Sequence, residues 1–435
     1  MLYQSPGSGA AARRTREAPV SAASSDNATD APNHPLAKRM GFIAWLSHNV
    51  IIGTIFGTPA ILLKPMQERM QVSAELASAG VPLVILGSAV LASVAGVLAA
   101  RFSLRSLMAA SAVAATLAWL LLAFTTSFIA YVVAYGLLLG PAMSLAGAVL
   151  PPTLVTRWFN RNRGLAIGIV HLPIIVTILP VGGNWIIEQF GLEPLFLCLA
   201  ALSGLVLLPA SLLVVDHPPG ETAREAVRIG SDAGSGAGGG LTIPQLLRNR
   251  YFWGLALAVS AMNTSVTLLG VHIVAMAESW NLTRDNGALL ASTMSFCGMA
   301  GSILFGIVAD RFGGGRTVAL VVFDGMVLWL LFLLGLPFPF LLVVIGLMGM
   351  HGSAGIPAAS RAYAETLGTA SFSRAYGLSA TVTLPLTVLC IIGTGTLYRL
   401  NGDYTVAILV MAAYCAIAVP LALFGARGGK VTSPA

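Results

Sequence analysis

The chain has 435 residues, 56% of them hydrophobic and only 9% charged, with a mean hydropathy of +0.84. A water-soluble domain carries roughly a quarter of its residues as Asp, Glu, Lys or Arg, so this composition excludes a soluble globular protein. The net charge of +7 is read below as membrane topology and not as a sign of nucleic-acid binding.

Residues 1–40 are rich in Ala, Ser, Pro and charge and contain no compact apolar core, which argues against a cleaved signal peptide and predicts a disordered cytoplasmic tail. Apolar runs of about 20 residues then recur, each long enough to cross ~30 Å of hydrocarbon as a helix. In lipid the backbone must satisfy its own hydrogen bonds, so these runs are helices and not strands. Twelve are predicted, at 41–63, 77–99, 106–124, 128–150, 164–187, 195–215, 251–275, 287–309, 317–335, 338–360, 374–397 and 403–424. They divide into six-helix bundles over 41–215 and 251–424. A Gly- and Ser-rich stretch at 216–250 joins them as a flexible linker, and a short tail follows at 425–435. The fold class expected is an all-α integral membrane protein with two pseudo-symmetric halves.

This topology sorts the 24 basic residues. Twenty fall on the side of the two termini, and only Lys64, Arg69, Arg284 and Arg399 fall on the other. By the positive-inside rule both termini are cytoplasmic. A charged turn, Ala309-Asp310-Arg311-Phe312-Gly313-Gly314-Gly315-Arg316, separates segments 8 and 9; a weaker copy, Ala99-Ala100-Arg101-Phe102-Ser103-Leu104-Arg105, separates segments 2 and 3. Cys198, Cys297, Cys390 and Cys415 all sit in apolar runs without metal-ligand spacing and read as packing residues. The six histidines are scattered singly, and no Gly-rich phosphate loop occurs. Neither an enzyme, a metal site nor a cofactor is expected.

The turn Gly306, Asp310, Arg311, Gly313, Arg316 resembles that of the major facilitator superfamily, and its earlier copy keeps Gly96, Arg101 and Arg105 with Ala100 in place of the acidic residue. Thr156–Gly168, with Trp158-Phe159-Asn160-Arg161-Asn162-Arg163-Gly164, is similar to the monocarboxylate and oxalate–formate transporter branch, as are Gly57–Gly80 and Gly270–Val274. The resemblance implies a solute carrier working by alternating access, with a cytoplasmic gate at Asp310, Arg311, Arg316, Arg101 and Arg105. It also implies that helices 1, 4, 7 and 10 line a central cavity, with 2, 5, 8 and 11 beside them. Aligned with monocarboxylate carriers, Gly298 and Ser302 occupy positions where those proteins place an Asp and an Arg.

Buried carboxylates need a cationic partner, and segments 1, 8 and 11 offer no Lys or Arg near the bilayer centre. A neutral, zwitterionic or aromatic solute, riboflavin for example, is therefore favoured over a small anion; a monocarboxylate or organic-anion carrier, an antiporter and an exporter are the alternatives. Polar residues expected in the cavity are Thr54, Thr58, Asn263, Thr267, Ser302, Thr383 and Thr387. His351, Asp324 and His171 are candidates for proton coupling, since histidine titrates near neutrality and an intramembrane carboxylate is protonated or paired. The partners expected are a small organic solute, a proton or counter-substrate gradient and membrane lipid, for a monomer in a bacterial inner membrane.

Overall fold

The computed structural model describes residues 34–159, 163–172, 174–218, 241–368 and 371–427. Residues 1–33 of the expected tail, most of the linker and the last eight residues lie outside these. Among the described residues, eleven helices are long and apolar enough to cross a membrane: α1 (Ala37–Gly57), α3 (Leu104–Phe124), α4 (Phe128–Trp158), α5 (Ala166–Phe190), α6 (Leu192–Leu212), α7 (Arg250–Ser279), α8 (Arg284–Phe312), α9 (Gly314–Leu334), α10 (Phe338–Leu367), α11 (Arg374–Asn401) and α12 (Thr405–Gly425). The helix Gly80–Arg101, α2, lies between α1 and α3 and is apolar over Gly80–Leu91. The protein is an all-α membrane bundle.

Several helices differ from their expected extents. The first begins at Ala37, not 41, and continues outward past Thr58 as a separate helix, Pro59–Met70, because Pro59 has no N–H to donate back into α1. Four residues later the short helix Ala74–Ala77 lies on the outer face. The linker ends in a helix, Ile243–Arg248, with a Thr242/Gln245 capping box: the Thr242 N–H donates to Gln245 Oε1 at 2.8 Å. Two spans are broken within the bilayer. α5 is the apolar part of two helices, Arg163–Val170 and Ile174–Phe190, separated at His171 and Leu172. α10 consists of Phe338–Ser353 and Gly355–Leu367, meeting at Ala354. In α4, π-type turns over Val133–Leu139 and Met143–Val149 flank Gly140–Ala142 and precede Pro151.

Lipid offers no hydrophobic drive for helix association, so close packing rests on small residues. A Cβ on Gly140 of α4 would lie 2.8 Å from Gly87 Cα of α2, and one on Gly53 of α1 would lie 2.6 Å from Ile175 Cβ of α5. Within the N-terminal half, α1 packs on α4 and α5, α2 on α4, and α3 on α6; within the C-terminal half, α8 packs on α10, α9 on α12, and α7 on α11 and α12. Between the halves, Ile174–Phe190 of α5 runs along α8, Pro59–Met70 touches α7, and Ala74–Ala77 rests on α11. These are outer segments, so the halves join along the outer side.

Candidate functional site

The first helix of each half carries three consecutive polar residues that reach different neighbours. On α1, Ser47 donates to Ala146 O of α4 at 2.7 Å, and His48 Nδ1 lies 2.7 Å from Gly147 O. Asn49 Oδ1 accepts from the N–H groups of Ile174 and Ile175 at 3.0 and 3.3 Å, capping the outer piece of α5. On α7, exposed Asn263 faces the break in α10, where a Cβ on Gly355 would lie 2.9 Å from its Oδ1. Thr264 shares a 2.8 Å hydrogen bond with Thr387 of α11. Ser265 accepts from Trp329 Nε1 at 3.1 Å and meets Cys415 Sγ at 3.4 Å. Asn263 is thus an exposed amide beside the break in α10.

Of the other hydroxyls expected in the cavity, most spend their proton on their own helix. Thr54 donates to Val50 O, Thr58 to Thr54 O, Thr267 to Asn263 O and Thr383 to Ser379 O, at 2.6 to 2.8 Å. Thr54, Thr58 and Thr383 are also buried. Thr387 bridges to α7, Thr58 also reaches the Tyr135 side chain of α4, and Ser302 is exposed on α8. The absence of charge at Gly298 has a packing reason. A Cβ there would lie 3.3 Å from Gly349 O and 3.5 Å from Ser353 Oγ, so α8 presses directly onto α10 at its break.

His351 and Asp324 meet. Asp324 Oδ1 of α9 lies 2.9 Å from His351 Nδ1 of α10; the His351 side chain is fully buried, and its Nε2 has no hydrogen-bond partner. Gly325 makes room for the ring, since a Cβ there would be 2.5 Å from His351 Cε1. His171, at the α5 break, is exposed and lies against His48, with ring centroids 4.4 Å apart. His272 of α7 is completely buried, its Nε2 3.2 Å from Ile391 O.

The repeated cytoplasmic turns are held by carboxylates from within their own halves. Glu365 of α10 accepts from the Gly314 N–H at 2.8 Å and from Arg361 Nε at 2.6 Å, and Arg361 also bonds Asp310. In the first half, Asp216 accepts from the N–H groups of Leu104 and Arg105 at 2.8 and 3.3 Å. Gly313 has φ +84°, open to glycine at little cost, and a Cβ on Gly314 would fall 2.6 Å from Ala362 Cα. Among the described residues, none of the ion pairs includes Arg101, Arg105, Arg311 or Arg316. The partner of Asp310 is Arg361, on α10.

The outer face behaves differently. Lys64 pairs with Glu278 of α7, and Glu75 pairs with Arg399 of α11 at 2.6 Å. Arg284 of α8 donates from Nε to Asn184 Oδ1 of α5 at 2.5 Å and from Nη2 to Ile61 O, while Asn184 Nδ2 donates to Asp285 Oδ1 at 2.7 Å. Each of these links the two halves. Gly395 lets the Glu75 turn sit on α11: a Cβ there would lie 2.9 Å from the Glu75 N. Burial opposes ionisation of Glu75, but hydrogen bonds from Ser73, its own backbone N–H and Arg399 hold its carboxyl below the usual range. This network was not anticipated. The one sequence signal for it was the scarcity of outer charges, among which Lys64, Arg284 and Arg399 stand out.

Comparison with known proteins agrees with this architecture. The family model of the Major Facilitator Superfamily matches residues 44–273. An uncharacterized MFS-type transporter of Bacillus subtilis (strain 168), YcxA, is 24% identical over 325 residues, covering 74% of this chain and 72% of that protein. Monocarboxylate transporter 13 of Bos taurus is 26% identical over 352 residues, covering 78% and 76%. The crystal structure of a bacterial homologue of the human lysosomal transporter Spinster, inward-facing and unoccupied, superimposes with a TM-score of 0.67 at 13% identity, over 93% of this chain and 100% of that one.

Proposed function

The chain belongs to the major facilitator superfamily, and from that premise we propose a proton-coupled carrier that imports a small organic solute by alternating access across a bacterial inner membrane, with both termini cytoplasmic. The observation that carries this reading is the one-sided seam. Ion pairs and helix packing join the halves on the outer side, whereas each cytoplasmic turn is tied within its own half. Such a bundle is one of the two end states of a rocking carrier, with the solute released to the cytoplasm.

The pair Asp324–His351 supports coupling to protons, because it sets an intramembrane carboxylate at hydrogen-bond distance from an imidazole. Asn263, Thr387 and Ser302 are the polar groups assigned to the solute. The load is neutral, zwitterionic or aromatic, riboflavin being one example, since Gly298 is packed on α10 and segments 1, 8 and 11 carry no Lys or Arg near their centres. The relation to a monocarboxylate transporter favours a second reading, an organic-anion carrier, exchanger or exporter.

Uptake into membrane vesicles, screened against aromatic compounds, B vitamins, amino acids and monocarboxylates with and without a protonophore, tests both. Accumulation of a neutral solute that collapses with the protonophore is expected. Efficient lactate or formate transport would sink the neutral load, and uptake unchanged without any ion gradient would replace symport by facilitated diffusion.

A further inference from the structure

We propose that the helix Ile243–Arg248 and the first turn of α7 form a binding site for the headgroup of an anionic phospholipid. The helix is seated, not free. Its Leu246 is fully buried, and it packs on α7 and α11. The chain just before it is tied to the start of α11: the Leu241 N–H donates to Ser371 Oγ at 2.8 Å, and Arg374 Nη1 donates to Leu241 O at 2.6 Å. At its far end the Asn249 side chain accepts from the N–H groups of Tyr251 and Phe252 at 2.9 and 3.4 Å, so α7 begins at once. The Phe252 ring lies 6.5 Å from that of Tyr363, two residues from Arg361. The short helix is thereby fixed at the end of the bundle that carries the charged turns.

What this seat leaves outward is apolar and cationic. Ile243 and Leu247, four residues apart and so on one helix face, are both exposed. Trp253 is exposed as well, and its Nε1 donates to Leu247 O at 2.8 Å. An indole with an apolar body and a polar edge suits the boundary between hydrocarbon and headgroups. Arg248 and Arg250 are exposed too. Arg250 is held in place by aromatic rings: its Cζ lies 5.1 Å from the Tyr251 centroid and 5.8 Å from that of Phe424 of α12, and its Nη2 donates to Tyr251 Oη at 3.2 Å. Neither arginine takes part in any of the ion pairs among the described residues. A guanidinium oriented in this way and not neutralised by a carboxylate keeps donors for a bidentate acceptor, and phosphate oxygens have that geometry. Free phosphate would leave Ile243, Leu247 and Trp253 uncovered; a phospholipid meets them with its acyl chains and the arginines with its headgroup. Its net negative charge favours it over a zwitterionic lipid beside two cations. The site requires a membrane bundle and is independent of the solute and of proton coupling.

Trp253 supplies the readout. The full-length protein is reconstituted in vesicles of phosphatidylcholine and phosphatidylglycerol, with bromine on the acyl chains of one lipid or the other. Quenching at Trp253 is the difference between the native chain and Trp253→Phe. Brominated phosphatidylglycerol is expected to quench beyond its share of the vesicle. Arg248→Gln and Arg250→Gln should each lower that preference about fivefold, and the double variant should abolish it. Arg39→Gln, an exposed basic residue on α1 of the other half, should leave it unchanged. Equal quenching by the two lipids, or a preference that survives in the double variant, would overturn the site. An equal loss with Arg39→Gln would overturn it by making the diffuse positive charge of that end the cause. Loss of the preference on adding inorganic phosphate at constant ionic strength would overturn it as well, since the occupant would then be a soluble anion.

Discussion

The outer and cytoplasmic faces use charge in opposite ways. Outside, basic residues are scarce, and Lys64, Arg284 and Arg399 each cross from one half to the other. Inside, where basic residues are plentiful, Asp310–Arg361–Glu365 and Asp216 with the start of α3 each brace a single half. Pairing thus crosses between the halves at one end of the bundle and stays within each half at the other. A cross-half bond must break whenever the outer side opens; a bond within one half travels with it.

The largest effect should come from Arg284→Ala. It removes two charge-assisted hydrogen bonds across the seam, each worth about 1.5–3 kcal/mol, and so should shift the closed-to-open ratio by at least about tenfold. Spin labels at exposed Glu68 and Leu400, on opposite halves, should report a longer and broader outer distance. An unchanged distribution would remove the contrast between the faces. Gly395→Ala comes next. Its Cβ, 2.9 Å from the Glu75 N, should push the outer turn off α11 and shift the same distribution by less than Arg284→Ala does.

Asp310→Asn should leave the outer distance alone, because its partner Arg361 lies in the same half and an exposed pair is worth about 0–1 kcal/mol. It should still slow transport more than Arg105→Ala, since the first-half turn has Ala100 where the second has Asp310. Equal slowing would mean that the two turns contribute alike. The smallest effect is expected from acid. The Glu75 carboxyl is held below its ordinary value of 4.5 in the closed form. Its contribution is therefore complete above that value and fades as pH falls through the lowered one. Outer closure should be flat from neutrality to about pH 5 and loosen below about 4.5, whereas Glu75→Gln should show no such acid loosening.

Much of the architecture was legible in the sequence because the bilayer constrains local pattern so strongly. Runs of about 20 apolar residues must be helices, and the lopsided placement of 24 basic residues orients them. The repeated turn pointed to two related halves. Asn263 stands out in the sequence as an amide amid apolar residues, and the fold sets it, exposed, beside the break in α10. Partnership was not legible. Asp324 and His351 lie 27 residues apart and Glu75 and Arg399 lie 324 apart; no periodicity connects them. Gly298 reads as a missing charge in the sequence and as a close helix contact in the fold. His48 and His171 each read as solitary, and only the break in α5 and the packing of α1 against it bring their rings together. The sequence by itself determined an all-α membrane bundle built of apolar segments, because lipid acts on each segment separately. The tertiary structure decided which polar groups face one another and which side of the molecule is shut, because those depend on helix contacts between residues far apart in the chain.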